Sequence, residues 1–219
     1  MALTGAGLFG FVVMHMLGNL QVFLGQEAIN RYAHFLQSSK ELLWSARIGL
    51  LVMVGLHVWS AVKLSAENKA ARPVGYLNNP TPAAASYASR TMLMSGLIIA
   101  AFIVYHLLHF TVKVEAVNLV GLDFGKLHEQ DLTGRLRADV YRMIILGFKV
   151  PVVSVFYMIA VGLLCLHLSH GISAMFQSLG LRNKAWWPVL QQSAKGAALV
   201  LFLGYIAVPV AVLLGLLKE

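Results

Sequence analysis

His15, His57, His106, His109, His167 and His170 all lie inside apolar stretches of the chain. An imidazole in hydrocarbon is costly unless it faces a bundle interior and has a partner, so each of these residues must bind something. His106 and His109 stand one helical turn apart, as do the two histidines of His167-Leu-Ser-His170-Gly171. Three chemistries suit such residues. Neutral imidazoles paired across a bundle can hold an iron porphyrin from both sides, which leaves no open coordination position and favours electron transfer. The two one-turn pairs could instead build a non-haem metal site, although no intramembrane carboxylate completes it. Buried histidines could also relay protons in a transporter, but the sequence shows neither an inverted repeat nor an acidic midplane residue. The di-haem electron carrier is the reading these residues favour.

The elements that position them follow from composition. Of the 219 residues, 58% are hydrophobic and 12% charged, with a mean hydropathy of +0.73, the balance of a polytopic membrane protein. Strand alternation is absent, and lipid tolerates only helices or closed barrels, so an all-α bundle is expected. Five windows are long enough to span: 2–24, 41–65, 90–114, 144–176 and 195–217, all in one domain over 1–219. The first lacks the basic start and cleavage site of a signal peptide and is expected to remain as a helix. The net charge of +8 resides mainly in loops and helix ends, which excludes a nucleic-acid-binding domain and points to anionic lipid or a soluble partner. The single Cys165 excludes an internal disulfide and reads as a packing residue.

His15, His57, His106 and His167 each fall in the second half of their own window. Consecutive spans run in opposite directions, so His15 and His106 form one layer of the bundle and His57 and His167 another. Small residues accompany them, including Gly18 one turn beyond His15. Between spans, 25–38 is expected as a short interfacial helix and 71–82, with three prolines, as a non-helical loop. The connection 113–149 is expected to contain an amphipathic surface helix over 129–142. Trp186-Trp187 reads as an interfacial belt pair. The last span has no histidine and reads as packing, with Pro209 as a kink site.

On the motifs Met1-Ala-Leu-Thr-Gly, His15-Met-Leu-Gly-Asn-Leu, Glu27-Ala-Ile-Asn-Arg-Tyr-Ala-His-Phe-Leu, Asn68-Lys-Ala-Ala-Arg-Pro and His167-Leu-Ser-His-Gly-Ile-Ser-Ala-Met-Phe-Gln-Ser-Leu-Gly-Leu, the chain resembles a known family over nearly its full length. This is the single-subunit di-haem cytochrome b anchor of succinate dehydrogenase and fumarate reductase, in its menaquinone-linked bacterial form. The resemblance implies a five-helix bundle in the bacterial cytoplasmic membrane with the N-terminus inside, holding two haem b groups. It implies docking to an iron-sulfur subunit and a flavoprotein with FAD, and a quinone half-reaction at this subunit with menaquinone as the expected quinone. His15 and His106 would ligate the distal haem, and His57 and His167 the proximal one. Lys63, Lys69, Arg72, Arg90, Arg182, Lys184 and Lys195 would then face the cytoplasm, although the opposite side carries more Lys and Arg in total.

Glu27 and then His34 are the candidate proton acceptors of a quinone site beside the distal haem, since quinone chemistry moves protons as well as electrons. Each has a plain alternative, Glu27 as an interfacial cap or ion-pair partner and His34 as a structural residue. Haem propionates need cationic or hydroxyl partners, and Lys63, Arg72, Arg182 and His170 are the candidates on the proximal side. Tyr105 and His109 are candidates for supporting the distal haem. Competing functions are a cytochrome b anchor of another dehydrogenase or hydrogenase, and a histidine-relay transporter.

Overall fold

The computed structural model describes residues 1–71 and 87–219, and the fold is an all-α bundle. Helix α1 (Ala2–Leu20) runs on through a 3-10 turn to Leu24, and Gly25, at φ 94°, turns the chain into α2 (Gln26–Ser38). A left-handed φ of this kind is open to glycine at no steric cost. Helix α3 (Lys40–Ala70) is opened by the Ser39 hydroxyl, which accepts the Leu42 N–H. After the single turn α4 (Tyr87–Arg90), α5 (Met92–His106) continues as a π-helical segment, Leu107–Val112, and stops where Lys113 turns left-handed. A turn, α6 (Glu115–Asn118), and a ribbon of β1 (His128–Gln130) and β2 (Leu136–Ala138) lead into α7 (Val140–Lys149), α8 (Pro151–Ser178) and α9 (Trp187–Leu213). Among the described residues, five helices are long and apolar enough to cross a membrane: Ala2–Leu24, Lys40–Ala70, Met92–Val112, Pro151–Ser178 and Trp187–Leu213.

Two expectations are corrected. The window 144–176 is not one helix, because Val150 takes an extended conformation (φ −80°, ψ 110°) ahead of Pro151. A residue before proline is pushed out of the α region, and proline at the first helical position suits a new start. The Ser154 hydroxyl donates to the Phe148 carbonyl left over at the break. Helix α7, buried from Met143 to Phe148, is therefore separate from the span that follows.

The second correction is that 129–142 is not a surface helix. Asp131-Leu-Thr-Gly closes a hairpin in which Asp131 Oδ1 accepts from the Thr133 N–H, the Thr133 hydroxyl and the Arg135 N–H. Gly134 supplies the positive φ of 80°. The Thr133 hydroxyl bond, and then the Arg135 N–H, hold the Asp131 carboxyl down at about 2. Glu129 pairs with Arg137 across the ribbon, and helix resumes only at Val140, where Asp139 caps it by accepting the Arg142 N–H. The expected helix over 25–38 is present as α2.

Packing is uneven along the bundle. Helices α8 and α9 bury small and branched residues against each other, among them Ala160, Val161, Ala198, Leu201 and Ala211. Small residues let backbones approach closely, which is what drives helix association in lipid. Cys165 is buried in this seam with Met16, and the Tyr205 hydroxyl reaches from α9 to the Val12 carbonyl of α1 at 2.6 Å. Helix α9, with Pro209 inside it, thus has the packing role expected of it. By contrast α3 has no fully buried residue. Leu51, Val52, Leu56 and Trp59 of α3 face outward from the bundle.

Candidate functional site

The two histidine layers are present. His57 of α3 faces His167 of α8 with ring centres 6.5 Å apart and planes at 65°. His15 of α1 faces His106 of α5 at 5.8 Å and 79°. A metal-bound imidazole nitrogen lies about 2 Å from the ion, with its ring centre roughly 1 Å behind. Two imidazoles on opposite sides of one iron therefore have ring centres on the order of 6 Å apart, and both pairs match that span. Packed aromatic rings fill the same range, so the surroundings of each ring decide what it can do.

In the layer of His57 and His167, expected as the proximal one, each ring meets a hydroxyl from a neighbouring helix. The Thr4 hydroxyl of α1 lies 3.1 Å from His57 Nδ1, and the Ser95 hydroxyl of α5 lies 3.3 Å from His167 Nδ1. A hydroxyl held against Nδ1 orients the ring and leaves Nε2 as the nitrogen a metal would take. A cavity lined by Tyr87, Ser95, Leu163, Leu166 and His167 opens between α5 and α8. His57 and His167 are the two residues of this layer that could ligate a porphyrin iron from opposite sides.

The distal layer is built differently. Asn19 Nδ2 lies 3.3 Å from His15 Nε2, so a ligand at that nitrogen displaces this contact. The Tyr157 hydroxyl of α8 stands 3.4 Å from His106 Nδ1 and 3.0 Å from His109 Nδ1. The π-helical segment after His106 brings His109 to the same hydroxyl, and π turns recur where a side chain must be re-aimed. His109 is 0% exposed, and its Nε2 has no hydrogen-bond partner among the described residues. Phe110 stacks on the His109 ring at 4.0 Å between centres, and Tyr105 approaches it at 5.7 Å. Tyr105 and His109 therefore both sit beside the distal pair, but neither replaces a member of it.

Above this layer, a cap of α2, the β-ribbon and α7 is tied by charge. Arg137, with its side chain 5% exposed, binds both Glu129 and Glu27. Attraction to Glu27, and then to Glu129, holds its pKa above the ordinary arginine value. Glu27 is in the first turn of α2, where a carboxylate also meets the positive end of the helix. Buried Asn30 donates to Glu129 at 2.7 Å and to Asp139 at 3.0 Å, and accepts the Tyr141 N–H at 2.8 Å. Glu27 is thus an ion-pair partner that remains 42% exposed, and His34 is exposed farther along α2. Gly18 receives the Tyr32 ring of α2, which closes the approach that its missing side chain suggests for a flat group.

Of the candidates near the proximal layer, His170 is half-buried one turn beyond His167. Lys63 is exposed, 3.8 Å from Glu67 and 5.2 Å from the Trp59 ring centre. Arg182 is exposed and stacks over Trp187 at 4.7 Å. Gly171 faces Met92 at ordinary contact distance, so the space beside it is filled by a side chain. Arg72 lies outside the described residues. His106/His109 and His167/His170 fall in different layers, and among the described residues no three His, Cys, Asp or Glu side chains gather as a metal site.

Sequence reasoning missed Thr4, Ser95, Asn19 and Tyr157 as partners of the histidines, and Arg137 and Asn30 as the tie of the cap. Asn19 alone carried a local signal, standing one turn from His15. The others come from elements distant in sequence from their partners, where spacing says nothing. Comparison with family models, with curated proteins and with solved structures finds no match.

Proposed function

We propose that this chain is the cytochrome b membrane anchor of a succinate:quinone oxidoreductase, carrying electrons between an iron-sulfur subunit and membrane quinone. The observation that carries the reading is the pair of histidine layers, each with two imidazoles at the separation that opposite ligands of one iron need. Haem b held in this way supplies one-electron transfer with no open site for substrate. His57 and His167 would hold the proximal group, and His15 and His106 the distal one, after Asn19 releases His15 Nε2. Lys63, Arg182, His170 and Arg72 are the candidate propionate partners on the proximal side. The motif resemblance adds the partners: an iron-sulfur subunit, and through it a flavoprotein with FAD.

Quinone, with menaquinone as the expected form, would bind on the distal side under the cap. Glu27 is the candidate proton acceptor there because it is the partly exposed member of the Arg137 network, with exposed His34 on the same helix as the second. The setting proposed is the bacterial cytoplasmic membrane with the N-terminus inside.

Isolation of the tagged chain from its native membrane tests the assignment. Co-purification of a flavoprotein and an iron-sulfur protein, with succinate-dependent reduction of a naphthoquinone, is the expected result. Isolation with a hydrogenase or another dehydrogenase instead would contradict it.

A further inference from the structure

Thr4 and Ser95 do the same thing twice. The Thr4 hydroxyl donates to the Met1 carbonyl at 3.0 Å, and the Ser95 hydroxyl donates to the Met92 carbonyl at 3.2 Å. A hydroxyl has one hydrogen to give. With that hydrogen on the helix carbonyl, the contact with histidine Nδ1, 3.1 Å for His57 and 3.3 Å for His167, is accepted from an Nδ1–H. In that arrangement both rings share one tautomer, with Nε2 unprotonated. Each hydroxyl is followed by a glycine against the same ring: a Cβ at Gly5 would lie 3.3 Å from His57 Cε1, and one at Gly96 would lie 3.4 Å from His167 Cε1. About three helical turns on, His15 follows Thr4 at the same interval as His106 follows Ser95. Helices α1 and α5 thus repeat one spacing, each placing a hydroxyl and a glycine against a histidine of one layer and a histidine in the other.

Resting on the di-haem reading, we infer that Thr4-Gly5 and Ser95-Gly96 are matched positioning elements for the proximal haem, fixing the tautomer and ring orientation of His57 and His167. The distal layer lacks this device, since Asn19 meets His15 at Nε2 and His106 shares Tyr157 with His109. Loss of either hydroxyl should therefore act on one haem only.

The test uses the intact complex with Thr4→Val, Ser95→Ala, Gly5→Ala and the conservative Thr4→Ser. Haem transfer to excess apomyoglobin and the low-spin g values of each haem are measured, with the two haems assigned from His57 and His15 variants. Removing a group that orients a metal ligand typically weakens metal retention about 10–100-fold. Thr4→Val and Ser95→Ala should each speed proximal haem loss by about that factor and shift the proximal g values, with the distal haem unchanged as the internal record of folding. Gly5→Ala, which keeps the hydroxyl, should shift the proximal g values by crowding His57, and Thr4→Ser should match the unaltered protein. Two haems with unchanged retention and g values in Thr4→Val, Ser95→Ala and Gly5→Ala would overturn this inference alone. An unaltered chain without haem would overturn the di-haem reading and this inference with it.

Discussion

Replacing His57 or His167 with alanine is expected to remove one of two haems and leave the other in place. Each residue supplies one imidazole of the proximal pair, whose ring centres stand 6.5 Å apart. With one imidazole gone, the other cannot hold a six-coordinate low-spin iron. His15 and His106 belong to the other layer, so their haem should persist in both variants. His109→Ala should keep both haems, because His109 supplies neither ring of the distal pair and meets His106 through Tyr157 and Phe110. Haem-to-protein ratios on purified variants read all of these directly. Loss of a haem with His109, or retention of both without His57, would mean that the ligand set is wrong.

The second large effect is expected at Arg137. Arg137→Met removes a buried cation and leaves Glu27 and Glu129 facing each other. Breaking a buried ion pair from one side costs about 3–5 kcal/mol, because the remaining charge stays desolvated. Glu129 is only 16% exposed and bears most of this, whereas Glu27, at 42%, is eased by solvent. The lower end, about 3 kcal/mol, is therefore the expected cost. Hydrogen exchange should show it as faster exchange of the ribbon and α2 amides, with the half of α8 and α9 around Val161, Cys165, Ala198 and Leu201 unaffected, because the cap packs on these helices at their other end, through Val153, Tyr157, Val208 and Val212. Uniform loss of protection across the whole bundle would contradict a separately tied cap.

The fold was legible wherever one physical rule acted alone. Hydrocarbon thickness located all five spans, and the antiparallel alternation of spans placed the four histidines in two layers. It failed at 144–176, where apolar content runs unbroken but Val150-Pro151 divides the helix, so a backbone rule at one residue overrides hydropathy. It failed again at 129–142, read as an amphipathic surface helix although Asp131, Thr133 and Gly134 form a turn. The site was legible in its histidines, because a buried imidazole announces a cost. Its supports were not. Thr4 and Ser95 look like ordinary small residues of membrane helices, and only their approach to His57 and His167 across the bundle gives them a role. Arg137 likewise reads as one charge among many until the ribbon turns it inward between two carboxylates.

A reduced-minus-oxidised spectrum of the purified chain, with haem quantitation, reads the content of both histidine layers at once. Two low-spin haem b groups per chain are expected. A chain that carries no haem, or whose iron is high-spin with an open coordination position, would contradict the di-haem reading.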